Sequence, residues 1–374
     1  MIYKKFQDLS LSALGVGTMR FPTVDGDNAK IDEAATAEMF DYAIEHGVNY
    51  FDTAWGYHKG MSEPLTGKLL SKYPRDKFYV ATKFPGYDVS NLEKVEEIFE
   101  KQLEHLRVDY IDFYLVHNVC EANINEYLDE KYGLYDYIVK QKKLGRIKHL
   151  GFSIHGNLET TKRFLSRYGD AMEFCQVQLN WIDWGFQRAN DKLDLLREWN
   201  IPVWVMEPLR GGKLAKLDEK YEKKLAELRP NESIPGWAFR YLQSYDQVKV
   251  TLSGMSNLEQ LKQNIKTFET DEPLNENEIN VLHKIAVEMT ATVPCTACKY
   301  CTEKCPMQLD IPTLIELYNE HAFTGGGFIA PMFIESMPEE KRPSACIGCR
   351  ACEALCPQSI KISEVFADFN AKLK

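Results

Sequence analysis

Gly47-Val48-Asn49-Tyr50-Phe51-Asp52-Thr53-Ala54-Trp55-Gly56-Tyr57 contains an apolar strand, 49–54, that closes on an acid and a hydroxyl and runs into two aromatics. Upstream, 31–46 has helical periodicity, and Gly47 ends it as a C-cap residue does, free of the Cβ that opposes a left-handed turn. Downstream, 62–70 is helical again. This strand-plus-helix unit recurs along the chain. Strands are predicted at 11–19, 49–54, 78–84, 110–117, 149–154, 175–180, 203–208 and 249–253. Helices follow them at 31–46, 62–70, 92–106, 124–143, 158–168, 187–199, 233–244 (reached through an insertion) and 258–268. The strands are continuous apolar runs, as in parallel sheets covered on both faces. Eight units in about 270 residues predict an α/β fold, a (β/α)8 TIM barrel. A doubly wound sheet is the weaker reading, because no G-x-G-x-x-G turn follows the first strand.

In such a barrel the chemistry sits at the carboxyl ends of the strands. Strand two ends at Asp52 with Tyr57 just beyond, strand three at Lys83 and strand four at His117. Carbonyl reduction needs hydride at carbon and a proton at oxygen. Tyr57 can give the proton, and a neighbouring Lys83 ammonium would lower a phenol pKa of about 10. Asp52 would hold Lys83 charged, and His117 can polarise the substrate oxygen. Alone, each is weak: a single strand-end His is more often structural, and an Asp in D-T-A is as likely to cap a following turn.

As a set they carry a resemblance. Residues 1 to about 270 look like an aldo-keto reductase. The run 47–54, then Tyr57, then 63–67, is similar to that family's signature, and Asp52, Tyr57, Lys83 and His117 match its catalytic tetrad in order and strand position. The resemblance implies a nicotinamide coenzyme, NADPH or NADH. Ser153 and Gln176 match residues that hold the carboxamide, and Asn180 falls near the same place. Ile154 follows Ser153 where the family often has Asn. Met206 stands where members often stack an aromatic on the nicotinamide. The loop Pro208-Leu209-Arg210-Gly211-Gly212-Lys213 suits a pyrophosphate, with glycines for close approach and two cations, although a simple glycine turn reads the same. Ser253, Gly254, Gln260, Gln263 and Asn264 resemble the adenosine-phosphate site. Gly254 and Gln260 stand where many members place Lys and Arg on the 2′-phosphate, so the charge-assisted bonds favouring NADP are missing there.

Further on, Cys295-Thr296-Ala297-Cys298-Lys299-Tyr300-Cys301-Thr302-Glu303-Lys304-Cys305-Pro306 repeats its spacing at Cys346, Cys349, Cys352, Cys356 and Pro357. Each run is C-x2-C-x2-C-x3-C-P. Three close thiols can wrap one face of a metal cluster before proline turns the chain away. Zinc sites do not use four cysteines at this spacing twice, and disulfides need an oxidising compartment that nothing else suggests. The runs resemble the dicluster ferredoxins, which implies two [4Fe-4S] clusters and a fourth Cys that crosses to the other cluster. One cluster would take Cys295, Cys298, Cys301 and Cys356; the other Cys346, Cys349, Cys352 and Cys305. The link 306–345 is longer than in the small ferredoxins and carries a helical run at 311–318. The remaining cysteines, Cys120 and Cys175, lie upstream; Cys175 reads as a small buried hydrophobe. The expected division is a barrel at 1–270, a linker and helix at 271–290 (the helix at 279–289), and a ferredoxin-like domain at 291–374.

Across 374 residues the net charge is −10, which opposes nucleic-acid binding. No apolar run has the length of a membrane span, and the N-terminus lacks a signal-peptide core. The expectation is a cytoplasmic oxidoreductase working in reducing, low-oxygen conditions, with a small-molecule carbonyl substrate and a redox partner protein as a further option. Hydride carries two electrons and a [4Fe-4S] cluster usually passes one, so a flavin converter is conceivable, although no flavin signature is present. The favoured reading is a nicotinamide-dependent carbonyl reductase with two clusters for electron transfer or structure. The alternatives are an electron-transfer protein with a flavin or partner on an idle barrel, and a non-catalytic iron–sulfur sensor.

Overall fold

The chain begins with an antiparallel hairpin, β1 (Tyr3–Phe6) and β2 (Leu9–Ser12), in which Tyr3 pairs with Ser12. Eight parallel strands follow: β3 (Leu14–Gly17), β4 (Tyr50–Asp52), β5 (Tyr79–Phe84), β6 (Ile111–Val119), β7 (Ile147–Ile154), β8 (Phe174–Gln178), β9 (Val203–Met206) and β10 (Val248–Gly254). They close into one barrel, with β10 beside both β9 and β3. This computed structural model describes residues 1–290 and 292–373. Ala291 and Lys374, the first and last residues of the expected cluster domain, lie outside the described residues. The chain divides into two compact units, Met1–Leu282 and His283–Lys374.

The barrel helices are α1 (Glu33–Glu45), α2 (Ser62–Leu70), α3 (Val95–Leu106), α4 (Ile124–Leu128), α5 (Leu134–Lys143), α6 (Leu158–Tyr168), α7 (Asp183–Phe186), α8 (Ala189–Glu198), α9 (Glu219–Leu228), α10 (Ile234–Gln243) and α11 (Leu258–Thr267). Several start on side chains that accept a free backbone N–H: Asp32 for α1, Asn157 for α6, Ser233 for α10 and Asn257 for α11.

The structure redraws three expected elements. The first strand, 11–19, is the second arm of the hairpin plus β3, because Ser12 turns the chain by bonding Leu14 O and Asn49. The long helix at 124–143 is two helices, α4 and α5, separated at Gly133, whose φ of 61° is left-handed. The strand at 175–180 stops at Gln178, because Asn180 Oδ1 accepts the N–H groups of Ile182 and Asp183 and opens α7 instead.

Inside the barrel, Phe113 is the hub of an aromatic cluster with Phe6, Tyr50, Phe174 and Trp204. Its members stand near the starts of their strands, and Phe6 brings the hairpin onto the amino-terminal end. The carboxyl ends are left for a site.

In the second unit, α13 (Ile311–Thr324), α14 (Ile329–Ser336) and α15 (Ile362–Lys372) bury Leu309, Leu314, Ile315, Phe366 and Phe369 together with Cys301 and Cys352. Tyr318 of α13 donates to Asp368 of α15 at 2.7 Å. The expected helical run 311–318 is the first half of α13, and the helix expected at 279–289 is α12 (Glu276–Thr290). Among the described residues no helix is long and apolar enough to cross a membrane.

Glu173, just before β8, locks the hairpin to the barrel. It accepts from Gln7 Nε2 (2.8 Å), Lys142 Nζ (2.5 Å) and Leu150 N (2.9 Å), with His149 Nδ1 at 3.1 Å. Burial alone would push its pKa up, but these bonds hold it down to about 2, from 4.5. A carboxylate with a lowered pKa contributes stability that is complete above its unfolded value and is lost as pH falls through the folded one. Glu173→Gln should therefore cost about 2 kcal/mol at neutral pH. The melting-temperature gap to the wild type should close as pH falls below about 4.5; a gap independent of pH would contradict this account.

Candidate active site and cysteine clusters

Asp52 closes β4, Lys83 lies two residues beyond its cross-strand level on β5, and His117 lies near the end of β6. Lys83 is 1% exposed and Asp52 3%. The Lys83 ammonium donates to Asp52 Oδ1 at 2.6 Å and to Thr53 O at 2.7 Å. Burial opposes the charged lysine, but Asp52 and Tyr57 outweigh it and its pKa is raised. Burial pushes Asp52 up, against the pull of Lys83. Lys83 Nζ stands 5.0 Å from the centre of the Tyr57 ring, and that ring meets His117 edge-on at 6.1 Å. The four expected residues therefore converge.

Two directions are informative. Tyr57 has its pKa raised, not lowered: burial is the largest influence, with Lys83 opposing it and Asp52 and Glu207 adding to it. Lysine thus moderates a phenol that burial keeps protonated. His117 is held well below the usual imidazole range by burial, Lys83 and His155, so it is neutral. Its position comes from a β-bulge between Val116 and Val119, where the next residue, Asn118, takes φ 55°. Tyr127 fixes the same turn by donating to His117 O at 2.6 Å.

Behind the four lies a network that the sequence did not announce. Glu63, fully buried on α2, accepts from Thr82 Oγ1 (2.5 Å) and Gln102 Nε2 (2.8 Å), and His105 stands 3.2 Å away. Gln102 also donates to Lys83 O. Glu63 belongs to the signature stretch, but only the folded chain gives it this role. Trp55 stacks on His105 at 5.6 Å, and Tyr87 meets His117 edge-on.

The expected coenzyme residues divide. Ser153 and Gln176 are neighbours across β7 and β8. Ser153 Oγ accepts Asn118 N–H at 2.7 Å. The Gln176 side chain bonds Asp52, and its Oε1 is buried without a hydrogen-bond partner in the protein, as is Asn118 Oδ1. Met206 ends β9 beside Gln178. Asn180 is diverted: its amide donates to Asp183 and Glu207 O. Arg210 also departs from expectation. Its side chain is 4% exposed and its Nε donates to both oxygens of Asp183, so it braces the loop from within. Pro208, Leu209 and the exposed Gly211, Gly212 and Lys213 complete the turn. Ser253 and Gly254 end β10. Asn264 donates to Ser253 Oγ, Gln260 Oε1 accepts Ser256 N–H, and Gln263 donates to Glu259.

The cysteines form two sets. One cavity is lined by Cys295, Cys298, Cys301 and Cys356. A second is lined by Cys305, Cys346, Cys349 and Cys352. Each takes three thiols from one run and the fourth from the other. No group of three or more His, Cys, Asp or Glu among the described residues converges as one metal ion would need. The backbone repeats as well. Residues two, four and thirteen after the first Cys of each run have positive φ: Ala297, Lys299 and Gln308, then Gly348, Arg350 and Ser359. Such turns aim successive N–H groups into a concavity, which suits an anion such as sulfide. Burial pushes the thiols of Cys295, Cys301 and Cys352 up, the last to about 11, so thiolates here need a metal's charge.

A buried ion pair penalises the loss of either member. Lys83→Met should cost about 3–5 kcal/mol by stranding Asp52. Adding Asp52→Asn should recover part of that, as measured by chemical denaturation. A single mutant as stable as the wild type would mean that the pair is not buried as described.

Residues 13–287 match the family model described as the aldo/keto reductase family, and 294–361 match a 4Fe-4S dicluster domain. The chain is 28% identical over 214 residues to "Probable aldo-keto reductase 1" of Glycine max, covering 55% of this chain and 58% of that one. It is 26% identical over 224 residues to an NADH-specific methylglyoxal reductase of Escherichia coli, covering 55% and 66%. Both matches span less than two thirds of the relative. Among solved structures, an aldo-keto reductase from Bacillus halodurans in its holo form superposes with TM-score 0.63 at 26% identity, covering 76% of this chain and 96% of that one. The barrel, its strand-end site and these matches make the chain a member of the aldo/keto reductase family of oxidoreductases, with a 4Fe-4S dicluster domain following the barrel.

Proposed function

We propose that the barrel reduces a small-molecule aldehyde or ketone with NADPH or NADH, and that the second unit holds two [4Fe-4S] clusters. The convergence of Asp52, Tyr57, Lys83 and His117 at the carboxyl ends of β4 to β6 carries the barrel reading. The coenzyme, when bound, supplies hydride to the carbonyl carbon. Tyr57 gives the proton to the carbonyl oxygen. Its pKa, raised chiefly by burial, keeps it in the acid form at neutral pH. Lys83, held charged by Asp52, stabilises the tyrosinate left behind. Neutral His117 orients the substrate oxygen. The residues fit the coenzyme's carboxamide, because the buried Gln176 Oε1 lacks a partner that an amide N–H would supply, and Ser153 lies beside it.

The eight cysteines fit the clusters by number, by the two cavities and by the repeated backbone turns. The proposed ligands are Cys295, Cys298, Cys301 and Cys356 for one, and Cys346, Cys349, Cys352 and Cys305 for the other. A cluster so held passes single electrons or braces the unit, and a redox protein partner belongs with the first role.

Tyr57→Phe should lower the turnover of carbonyl substrates by about 10²–10⁴-fold while leaving coenzyme affinity unchanged. Turnover at the wild-type rate would defeat the reading. For the clusters, Cys356→Ser should abolish the signal of the cluster bound by Cys295, Cys298 and Cys301. Iron content and electron paramagnetic resonance of the anaerobically prepared protein would show this. Loss of the Cys346, Cys349, Cys352 cluster instead would mean that the runs do not cross.

A further inference from the structure

Arg210, a cation of the loop after β9, is buried on Asp183, and Gly254 at the end of β10 and Gln260 in α11 carry no charge. Arg20 reaches the same loops from the far side. It ends the turn Thr18–Arg20 after β3 and is exposed. Its backbone O accepts Ser256 Oγ at 2.9 Å, which ties it to the loop after β10. Its stem lies flat on Gly254, where an added Cβ would stand 3.1 Å from Arg20 Cβ, Cγ and Cδ. Its Nη2 would stand 3.5 Å from a Cβ on Gly211, and it pairs with Glu207 Oε1 at 3.2 Å. The stem is therefore clamped by one glycine loop and the guanidinium delivered to the other.

Glu207 is the unexpected member. It sits between Met206 and Pro208 with φ 56°, in the loop read as a pyrophosphate turn. A carboxylate there repels phosphate unless a cation neutralises it. Its side chain is 28% exposed and that of Arg20 43%, so water screens the pair and its exchange for a stronger acceptor costs little.

We propose that Arg20 grips the diphosphate of the dinucleotide, and that Glu207 holds it in position until the coenzyme binds. This rests on the nicotinamide reading above. On binding, the guanidinium turns from one carboxylate to phosphate oxygens, which match its planar fork and carry more charge.

The test is calorimetric titration of the full chain with ADP-ribose, NADH and NADPH, with thermal melts to confirm folding of each variant. Arg20→Ala should weaken all three by about tenfold to a hundredfold, and Arg20→Lys by less. Glu207→Gln should tighten all three. The wild type should also lose affinity with salt more steeply than Arg20→Ala. Unchanged affinity in Arg20→Ala would overturn the proposal. So would a loss confined to NADPH, which would put Arg20 on the 2′-phosphate, or a Glu207→Gln loss matching that of Arg20→Ala, which would make the pair a structural strap. A wild type that binds none of the three would sink the nicotinamide reading and this proposal with it.

Discussion

An ammonium group that is 1% exposed must have a counter-charge within reach, and for Lys83 that group is Asp52 at 2.6 Å. This requirement orders the rest of the site. It fixes Asp52 at the last residue of β4 and Lys83 on the neighbouring strand. It draws in Thr53 O as a second acceptor and places Nζ over the Tyr57 ring. Gln102 and Glu63 then hold the backbone from behind. Desolvation makes the pair expensive and also makes its field felt: the same charge moderates Tyr57 and helps keep His117 neutral.

The opposite side of the barrel mouth uses charge differently. Asp183, fully buried, collects Arg210, Gln178 and Asn180. Those residues set the shape of the loop after β9 and contribute no free cation to it. The rim also carries the partly exposed Arg20–Glu207 pair, beside the exposed Lys213. One mouth thus carries a buried ion pair and a partly exposed one.

How much of this was legible depends on how local each signal is. Asp52, Lys83 and His117 stand at the ends of predicted strands and Tyr57 just beyond one, so strand patterning brought them to one end of the barrel. The cysteine runs are legible for the same reason, since the spacing lies within a dozen residues. Pattern does not reveal that the Arg210 and Asn180 side chains bond Asp183, since a cation in a glycine turn reads identically whether it faces solvent or core. Glu207 offered a signal, an acid in an expected phosphate turn, which gained meaning only from Arg20, 187 residues away. The divided first strand and the break at Gly133 reflect turn geometry, the weakest element of a periodicity argument.

The second unit shows the same dependence in another form. Cys301 and Cys352 are members of its apolar core, yet each lies in a set of thiols that burial alone would keep protonated. Neither run completes a four-thiol set, because the fourth member of each comes from the other. On the proposed ligation, the two halves of the unit are joined through both clusters at once, and losing either loosens a core that three short helices share. Cluster assembly and folding of this unit are then one process. That dependence holds whether or not electrons ever pass through the clusters, so a structural role needs no redox partner, whereas a redox role needs the structural one first.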